Sequence, residues 1–263
     1  MTNYPIGDLR KWLSIAESAA RRTGKFLVQT KEESKKIKLD SKREVKISAD
    51  TQSEEIIVDF LKSKSRFPIL TEESGVLGGN IKDGLFWIVD PLDGSLNYLR
   101  GIPFSCVSIA LWEQESPLIG VIYDFNKREL FTGIVNDGAW LNKRGVSVSN
   151  IKEKKKAILF TGVPVKANTS TKALQSLVLQ IRQYRKARWL GSAALSLAYV
   201  ASGRGDAYLE KGVMIWDVAA GLAILHAAGG SYCISRSKND YSCHVYAANR
   251  ELVKKEAKLI SKS

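Results

Sequence analysis

The stretch that decides the fold covers residues 87–97 and reads Trp-Ile-Val-Asp-Pro-Leu-Asp-Gly-Ser-Leu-Asn. Its apolar start predicts a buried strand that ends at Asp90, because Pro91 lacks the N–H group that would continue a sheet ladder. The chain must then turn, which brings Asp93 close to Asp90. Two carboxylates so placed repel each other unless a cation lies between them. The stretch therefore predicts a cation site at the end of a strand.

Gly94 and Ser95 follow these acids directly. A glycine lets the backbone turn sharply and approach a ligand, and Ser95 can begin a helix whose first N–H groups point outward. Such a helix end can bind a phosphate group. The alternative is an ordinary turn in which Asp93 or Ser95 caps a helix. The first interpretation places a cation site and an anion site side by side.

Acidic residues also stand at the ends of two other predicted elements. Glu72 and Glu73 follow an apolar strand predicted over residues 67–70, and Asp217 opens an apolar helix predicted over residues 216–228. Taken alone, Asp217 fits an ordinary helix cap equally well. Three acid-bearing ends, each next to an apolar segment, together favour one shared site.

The composition limits which metal such a site can hold. The 263 residues include two histidines and three cysteines without a C-x-x-C pair, which does not favour structural zinc. The ligands must then be oxygen atoms, which suit Mg²⁺, Mn²⁺ or Ca²⁺. Unpaired cysteines fit reduced thiols. No apolar run of the ~18 residues needed for a membrane span and no signal-like start are present, so we expect a cytoplasmic protein without membrane contact.

The net charge of +13 at pH 7 has two interpretations. The first is a nucleic-acid partner. The second is a lysine-rich solvated surface, which is favoured because aromatic residues do not alternate with basic clusters such as residues 152–156. Excess positive charge can also attract anionic phosphates toward an acidic site.

The alternation of helices and strands predicts a layered α+β protein. An amphipathic helix is predicted over residues 8–30, a loop or hairpin over residues 31–46, and an antiparallel meander over residues 104–142. The second half predicts a mixed sheet with helices: strands at 157–161, 207–210, 231–235 and 244–248, and helices at 171–183, 192–201, 216–228 and 250–261. We therefore predict two units, residues 1–149 with most candidate ligands and residues 150–263 with Asp217.

Several other phosphatase chemistries do not fit the sequence. A cysteine phosphatase needs C-x₅-R, and Cys106 has no arginine six residues further on. An aspartyl-phosphate enzyme would have D-x-D, whereas the acids here are spaced D-x-x-D, so the phosphate is expected to pass to water. The sequence contains neither G-x-S-x-G nor a Walker A motif.

Taken in order, these motifs resemble those of the inositol monophosphatase family. The family's Glu-Glu pair is similar to Glu72-Glu73, its Asp-Pro-x-Asp-Gly-Thr/Ser signature to residues 90–95, and its Trp-Asp-x-Ala-Ala-Gly signature to residues 216–221. Further similar segments are residues 138–142, 191–195 and 207–210. The resemblance covers residues 50–249 and implies a layered αβαβα sandwich.

The resemblance also implies a role for each site residue. Two or three Mg²⁺ ions, or Mn²⁺, would be bound by Glu72, Asp90, Asp93, Asp217 and the backbone oxygen of Leu92. The catalytic residues would be Asp50, Ser95 and Glu72, with Ser95 and Asp50 orienting the attacking water. The substrate would contact Gly94, Ser95, Gly191, Ser192, Ala193, Glu210 and Asp217.

The implied activity is Mg²⁺-dependent hydrolysis of a small phosphate monoester, a polyol or sugar phosphate of the inositol monophosphate type. Alternatives on the same fold are a fructose-1,6-bisphosphatase, a 3′(2′),5′-bisphosphate nucleotidase and a histidinol-phosphatase. An alternative of another class is a basic module that binds nucleic acid or protein. The acid at Glu210 favours a substrate rich in hydroxyl groups. The resemblance further implies inhibition by Li⁺ and a homodimer.

Overall fold

The first part of the chain supplies three helices and a short hairpin. A computed structural model describes residues 4–29, 36–40, 45–82, 84–164, 166–237 and 239–254, without the side chains of residues 39, 40, 45 and 46. The elements are α1 Ile6–Gln29, β1 Ile37–Asp40, β2 Val45–Ile47, α2 Ser48–Lys64 and, further along, α3 Ser95–Arg100. Strands β1 and β2 pair antiparallel, so the predicted loop or hairpin is a hairpin in its described part. Residues 31–35 and 41–44 of that prediction lie outside the described residues.

Besides the β1–β2 hairpin, the described residues form two sheets, and the larger of these has eight strands. They are β3 Ile69–Thr71, β4 Gly75–Leu77, β5 Leu85–Asp93, β6 Cys106–Glu113, β7 Ser116–Asp124, β8 Glu129–Ile134, β9 Gly138–Leu141 and β10 Arg144–Gly145. Their order across the sheet is β10-β9-β8-β7-β6-β5-β3-β4. Strands β3 and β5 are parallel, whereas β6, β7 and β8 form the predicted antiparallel meander.

The strand predicted to end at Asp90 continues to Asp93, which corrects the sequence-based boundary. Asp90 pairs with Ser108 and Asp93 with Cys106, and a bulge interrupts the register between them. The physical reason for the bulge is the one expected at Pro91, which has no N–H group to donate. The ladder resumes after two residues, so both acids remain on the same strand.

The second sheet is mixed, as predicted, but it has five strands where the sequence predicted four, because the edge strand β12 (Lys186–Arg188) was not foreseen. Its strands are β11 Ile158–Thr161, β12 Lys186–Arg188, β13 Ala207–Met214, β14 Gly230–Arg236 and β15 Ser242–Asn249, in the order β12-β11-β13-β15-β14. Strand β11 is parallel to β12 and β13, and the remaining pairs are antiparallel. The accompanying helices are α4 Thr171–Ile181, α5 Ala193–Ala201 and α6 Ile215–Ala227. The predicted final helix is present over residues 250–254, and its remainder lies outside the described residues.

Strand β13 is longer than the sequence predicted, because a bulge accommodates Gly212. The prediction ended at Glu210, yet the strand continues to Met214, with a register shift between Lys211 and Val213. Gly212 has φ +84°, a left-handed conformation that favours glycine. Gly212 therefore forms a bulge inside the strand instead of ending it.

Five layers result from packing helices against both sheets. Helices α1 and α2 cover the outer face of the eight-stranded sheet through side chains such as Leu13 and Ile57. Helices α5 and α6 lie between the sheets, where Ala198 and Leu222 share a core with Ile88 and Tyr208. A third core, on the far face of the five-stranded sheet, contains Leu159, Tyr246 and Leu252, with Ile181 of α4 packed against it. The layered α+β sandwich predicted from the sequence is confirmed.

Two glycines let α6 lie directly on the eight-stranded sheet. A Cβ atom at Gly120 would be 2.3 Å from the backbone oxygen of Ala220, and one at Gly133 would be 2.7 Å from the Cα atom of Ile224. Real Cβ atoms do not come so close, so a side chain at either position would displace the helix. The spacing between α6 and the sheet is therefore fixed by these two residues.

The division into residues 1–149 and 150–263 stays a prediction. The eight-stranded sheet ends at Gly145 and the five-stranded sheet begins at Ile158, but one core is shared by both sheets. Among the described residues, no helix combines the length and the apolar character needed to cross a membrane. No disulfide links the three cysteines, all of which lie in the described part of the chain.

Candidate active site

Three acids from separate elements meet at one edge of the larger sheet. Glu72 follows β3, Asp90 lies in β5, and Asp217 lies in the first turn of α6. Each offers a carboxylate oxygen, and these oxygens all lie within 4.8 Å of one another. Because β3 and β5 are parallel neighbours, their carboxyl ends reach the same edge. The predicted convergence of the three acid-bearing ends is thus observed.

Asp90 is the most deeply buried of the three acids and is only 1% exposed. Burial raises the pKa of Asp90 well above its usual range, and the charges of Glu72, Asp93 and Asp217 raise it further. The backbone N–H of Leu92 donates to Asp90 Oδ1 at 3.0 Å and opposes this effect. Burial and the charge of Asp93 likewise raise the pKa of Asp217. Positive charge placed here would relieve the repulsion that these shifts express.

Asp93 is held from the opposite side by the beginning of α5. Its Oδ2 atom accepts hydrogen bonds from Ser192 Oγ at 2.5 Å and from the Ala194 N–H at 2.7 Å, and the Cys106 thiol lies at 3.8 Å. Burial raises the pKa of Asp93 to about 6, although these hydrogen bonds favour its charged form. Oδ2 therefore already accepts hydrogen bonds from the protein itself.

Asp50 and Ser95 form a hydrogen-bonded pair beside the acids. The Ser95 hydroxyl lies 2.7 Å from Asp50 Oδ1 and 2.9 Å from the Leu92 backbone oxygen. The Ile47 N–H donates to the other Asp50 oxygen at 2.7 Å. Asp50 is 4% exposed and lies in the first turn of α2, so its carboxylate is firmly placed. The structure therefore brings together the two residues predicted to orient a water.

Gly94 must be a glycine. Its φ is +85°, and a Cβ atom would lie 2.9 Å from the Phe104 oxygen and 3.1 Å from the Gly191 oxygen. The turn therefore passes against two backbone segments that leave no room for a side chain. This close approach places residues 191–193, the predicted substrate-contact loop, next to the Gly94-Ser95 turn.

Asn97 holds the loop of residues 191–193 in place through hydrogen bonds. Asn97 was not assigned to the site from the sequence. Its amide group donates to the backbone oxygens of Leu190 at 2.7 Å, Phe104 at 2.8 Å and Gly191 at 3.3 Å. Its only signal in the sequence is a polar residue inside the quoted stretch, two positions after Ser95.

Glu54 is a second residue that sequence reasoning missed. It is 4% exposed and accepts hydrogen bonds from the Thr71 hydroxyl at 2.5 Å, from the Glu73 N–H at 3.1 Å and from the Ser74 hydroxyl. Thr71 ends β3, and Glu73 and Ser74 belong to the turn after it, so the donors flank Glu72 on both sides. An acid in a polar helix gives no sequence signal for such a contact.

Glu210 lies in β13, near Asp93 but outside the group of three acids. Burial raises its pKa to about 8, and the charge of Asp93 contributes to the shift. A Cβ atom on Gly162 would lie 2.6 Å from Glu210 Oε1, so the carboxyl group lies over that glycine. Beside it is a cavity of about 270 Å³ that is also lined by Leu174, Leu177 and His244. A carboxyl group with a raised pKa can both donate to and accept from hydroxyl groups.

The donor set fits a divalent cation that prefers oxygen. It consists of carboxylates, with the Leu92 backbone oxygen nearby, and contains no thiolate or imidazole. Burial together with mutual repulsion is the arrangement that a bound cation would stabilise. Fold and site together therefore define a layered α+β protein with an oxygen-ligand centre of the kind found in metal-dependent hydrolases.

The chain belongs to the inositol monophosphatase family, whose model it matches over residues 8–262. The Nus factor SuhB of Xylella fastidiosa is 38% identical over 252 residues, which is 90% of each chain. The inositol-1-monophosphatase of Synechocystis sp. is 36% identical over 230 residues, covering 86% of this chain and 80% of its own. The structure of inositol monophosphatase from Anabaena (Nostoc) sp. is 32% identical, with a TM-score of 0.84 and 97% of each chain covered. The family predicted from the motifs is confirmed, and it supports a phosphatase.

Proposed function

We propose that the protein hydrolyses a small phosphate monoester, a polyol or sugar phosphate of the inositol monophosphate type, with Mg²⁺ as cofactor. The observation that carries this proposal is the convergence of Glu72, Asp90 and Asp217, whose oxygens lie within 4.8 Å of one another. Two or three ions would be held by these acids with Asp93 and the Leu92 oxygen, and Mn²⁺ could replace Mg²⁺. When bound, the cation supplies positive charge that offsets the charge developing on the phosphate oxygens.

The Asp50–Ser95 pair would orient the attacking water. Asp50 accepts the Ser95 proton across 2.7 Å, which leaves the lone pairs of Ser95 Oγ free to accept a hydrogen from water. A water held in this way points a lone pair away from Ser95 and toward the phosphorus atom. The proton of the water would pass toward Asp50 through the hydroxyl. Glu72, which the family resemblance places with these catalytic residues, would complete the group.

The substrate would lie between the Gly94-Ser95 turn and Glu210. The N–H groups of Gly94 and Ser95 would bind the phosphate, and residues 191–193 and Asp217 would line the site. Glu210 would bind adjacent hydroxyl groups, which a polyol offers and an aryl phosphate lacks. The Ser192 side chain already donates to Asp93, so we assign its substrate contact to the backbone.

A phosphate-release assay over a substrate panel tests this proposal. The panel contains inositol 1-phosphate, fructose 1,6-bisphosphate, a 3′-phosphoadenosine nucleotide, histidinol phosphate and an aryl phosphate, each with Mg²⁺ and with excess EDTA. We expect release from the polyol phosphate that depends on Mg²⁺. Preference for another member would select one of the alternatives on this fold, and absence of release from all of them would refute the phosphatase proposal.

A second candidate function is binding of nucleic acid or a protein partner, which the relatives named Nus factor SuhB bring forward. The observation that favours it is a basic surface formed by residues 154–156 and residues 185–188. Residues 154–156 lie just before β11, which pairs with β12, and the Arg185 N–H donates to the Ala157 oxygen at 3.0 Å. Lys155, Lys156 and Lys186 are exposed on this surface. Binding of single-stranded RNA measured by fluorescence anisotropy over a salt series tests this candidate.

Homodimer formation, inhibition by Li⁺ and a cytoplasmic location stay predictions within this proposal. Helix α4 supports the dimer, because it contains no buried residue and exposes Leu174, Val178 and Leu179. Trp189, 56% exposed, follows the edge strand β12. An apolar face of this kind is typical of an interface. Light scattering of the wild type and of Val178→Asp would decide whether this face joins two copies.

A further inference from the structure

Helix α2 carries two buried carboxylates one turn apart, and each contacts a different part of the candidate site. Asp50 and Glu54 are both 4% exposed and, four residues apart, lie on the same face of the helix. Asp50 accepts the Ser95 hydroxyl from the turn that follows β5. Glu54 accepts hydrogen bonds only from Thr71, Glu73 and Ser74 among the described residues. One helix face therefore touches both acid-bearing turns.

The helix is suited to fix a distance because it is also anchored in the core. Ile57 and Leu61 are fully buried and pack in the same core as Val89 of β5. A helix anchored in this way does not follow small movements of a surface turn. The turn that carries Glu72 is instead tied to the helix by polar contacts, through residues on both sides of Glu72.

We propose that Glu54 is a positioning residue that holds Glu72 in place for cation binding. The Glu54 carboxylate accepts from Thr71 on one side of Glu72 and from the Glu73 N–H on the other, so the Glu72 backbone is fixed at both neighbours. Hydrogen bonds to a charged acceptor are stronger than those between neutral groups. Removing one donor to a buried carboxylate therefore destabilises the folded protein. The role rests on the proposed function, because it requires that Glu72 bind a cation.

The alternative is that Glu54 only stabilises the fold. The two roles differ in what a neutral substitution changes. A purely structural residue lowers stability without changing the affinity of the correctly folded site for a metal. Loss of a residue that orients a metal ligand typically weakens metal binding about ten- to a hundredfold.

Four proteins test the proposal: the wild type, Glu54→Gln, Thr71→Val and the matched control Glu55→Gln. Glu55 is the next residue of α2 and is exposed. Thr71→Val removes one donor to Glu54 while keeping the side-chain shape, so it decides the question if Glu54→Gln fails to fold. The probe is Mn²⁺ alone, with its Kd measured by electron paramagnetic resonance. Hydrogen exchange of metal-free protein is followed in peptides covering residues 69–77 and residues 106–113.

We expect Glu54→Gln and Thr71→Val to weaken Mn²⁺ binding by about ten- to a hundredfold, with Glu55→Gln equal to the wild type. Exchange should become faster over residues 69–77 and stay unchanged over residues 106–113. If the folded variants bind Mn²⁺ within about twofold of the wild type, Glu54 is structural and the positioning role is wrong. If the wild type itself does not bind Mn²⁺, the proposed metal site fails, and this inference fails with it.

Discussion

Replacing Asp93 by asparagine should stabilise the metal-free protein above pH 6 while abolishing turnover. The asparagine would keep the shape of the side chain, and its carbonyl oxygen could still accept from Ser192 Oγ and the Ala194 N–H. The variant lacks the negative charge of Asp93, which destabilises the folded protein when no cation is bound. Burial raises the pKa of Asp93 from 3.8 to about 6, a difference that corresponds to about 3 kcal/mol at 1.36 kcal/mol per pH unit.

The sign of the pH dependence follows from the direction of this shift. Because the pKa in the folded protein is higher than in the unfolded chain, the folded state binds more protons between about pH 4 and pH 6. The wild type therefore becomes less stable as the pH rises from about 4 to about 6. Above about pH 6 the whole destabilisation is present. Asparagine cannot ionise, so the variant escapes this loss, while the two proteins should be equally stable below about pH 4.

Thermal unfolding in EDTA from pH 4 to pH 8 measures this difference. For a chain of this size, about 3 kcal/mol corresponds to a Tm increase of roughly 6–12 °C at pH 7.5. The exposed residue Asp59 of α2 provides the control, since Asp59→Asn should leave Tm unchanged at every pH. Added Mg²⁺ should raise the Tm of the wild type more than that of the variant. A lower Tm for Asp93→Asn at pH 7.5, or a difference that does not change with pH, would refute the reasoning.

Three further predictions concern single substitutions. Ser95→Ala should lower kcat by about a hundredfold or more with Mn²⁺ affinity retained, because only the orientation of water is lost; equal losses of kcat and affinity would contradict this. Glu210→Gln should lower kcat/KM for a polyol phosphate by roughly ten- to a hundredfold relative to an aryl phosphate, and an unchanged ratio of the two activities would remove Glu210 from substrate recognition. Gly120→Ala should destabilise the protein by about 1–3 kcal/mol in urea unfolding, because its Cβ would lie 2.3 Å from the Ala220 oxygen; unchanged stability would mean that α6 can shift freely.

The parts of the site that the sequence predicted are those carried by local motifs. The acids of residues 90–93 and Asp217 stand next to apolar strands or helices, so burial and proximity follow from the pattern itself. The boundaries were less predictable. A proline bulge prolongs β5, and a glycine bulge prolongs β13, because neighbouring strands supply hydrogen bonds that the sequence does not display.

The contacts that the sequence did not reveal join residues that are far apart in the chain. Glu54 contacts residues 17–20 positions away, Asn97 contacts Leu190, and Ser192 donates to Asp93. Glu54 and Glu55 are adjacent acids in one helix, and only the packed structure shows that the first is buried and the second exposed. The supporting contacts of a site therefore depend on tertiary packing, whereas its acids follow from local sequence.

The close contact of α6 with Gly120 and Gly133 bears on which ion the centre prefers. Asp217 is carried by the first turn of α6 and Asp90 by the sheet, so the gap between their carboxylates depends on how near the helix lies. Oxygen ligands lie about 2.0–2.1 Å from Mg²⁺ and about 2.3–2.6 Å from Ca²⁺. If both acids share one cation, a methyl group at either glycine would push the helix outward and favour the larger ion. Gly120 and Gly133 would then help to set the ion selectivity although neither residue contacts the ion.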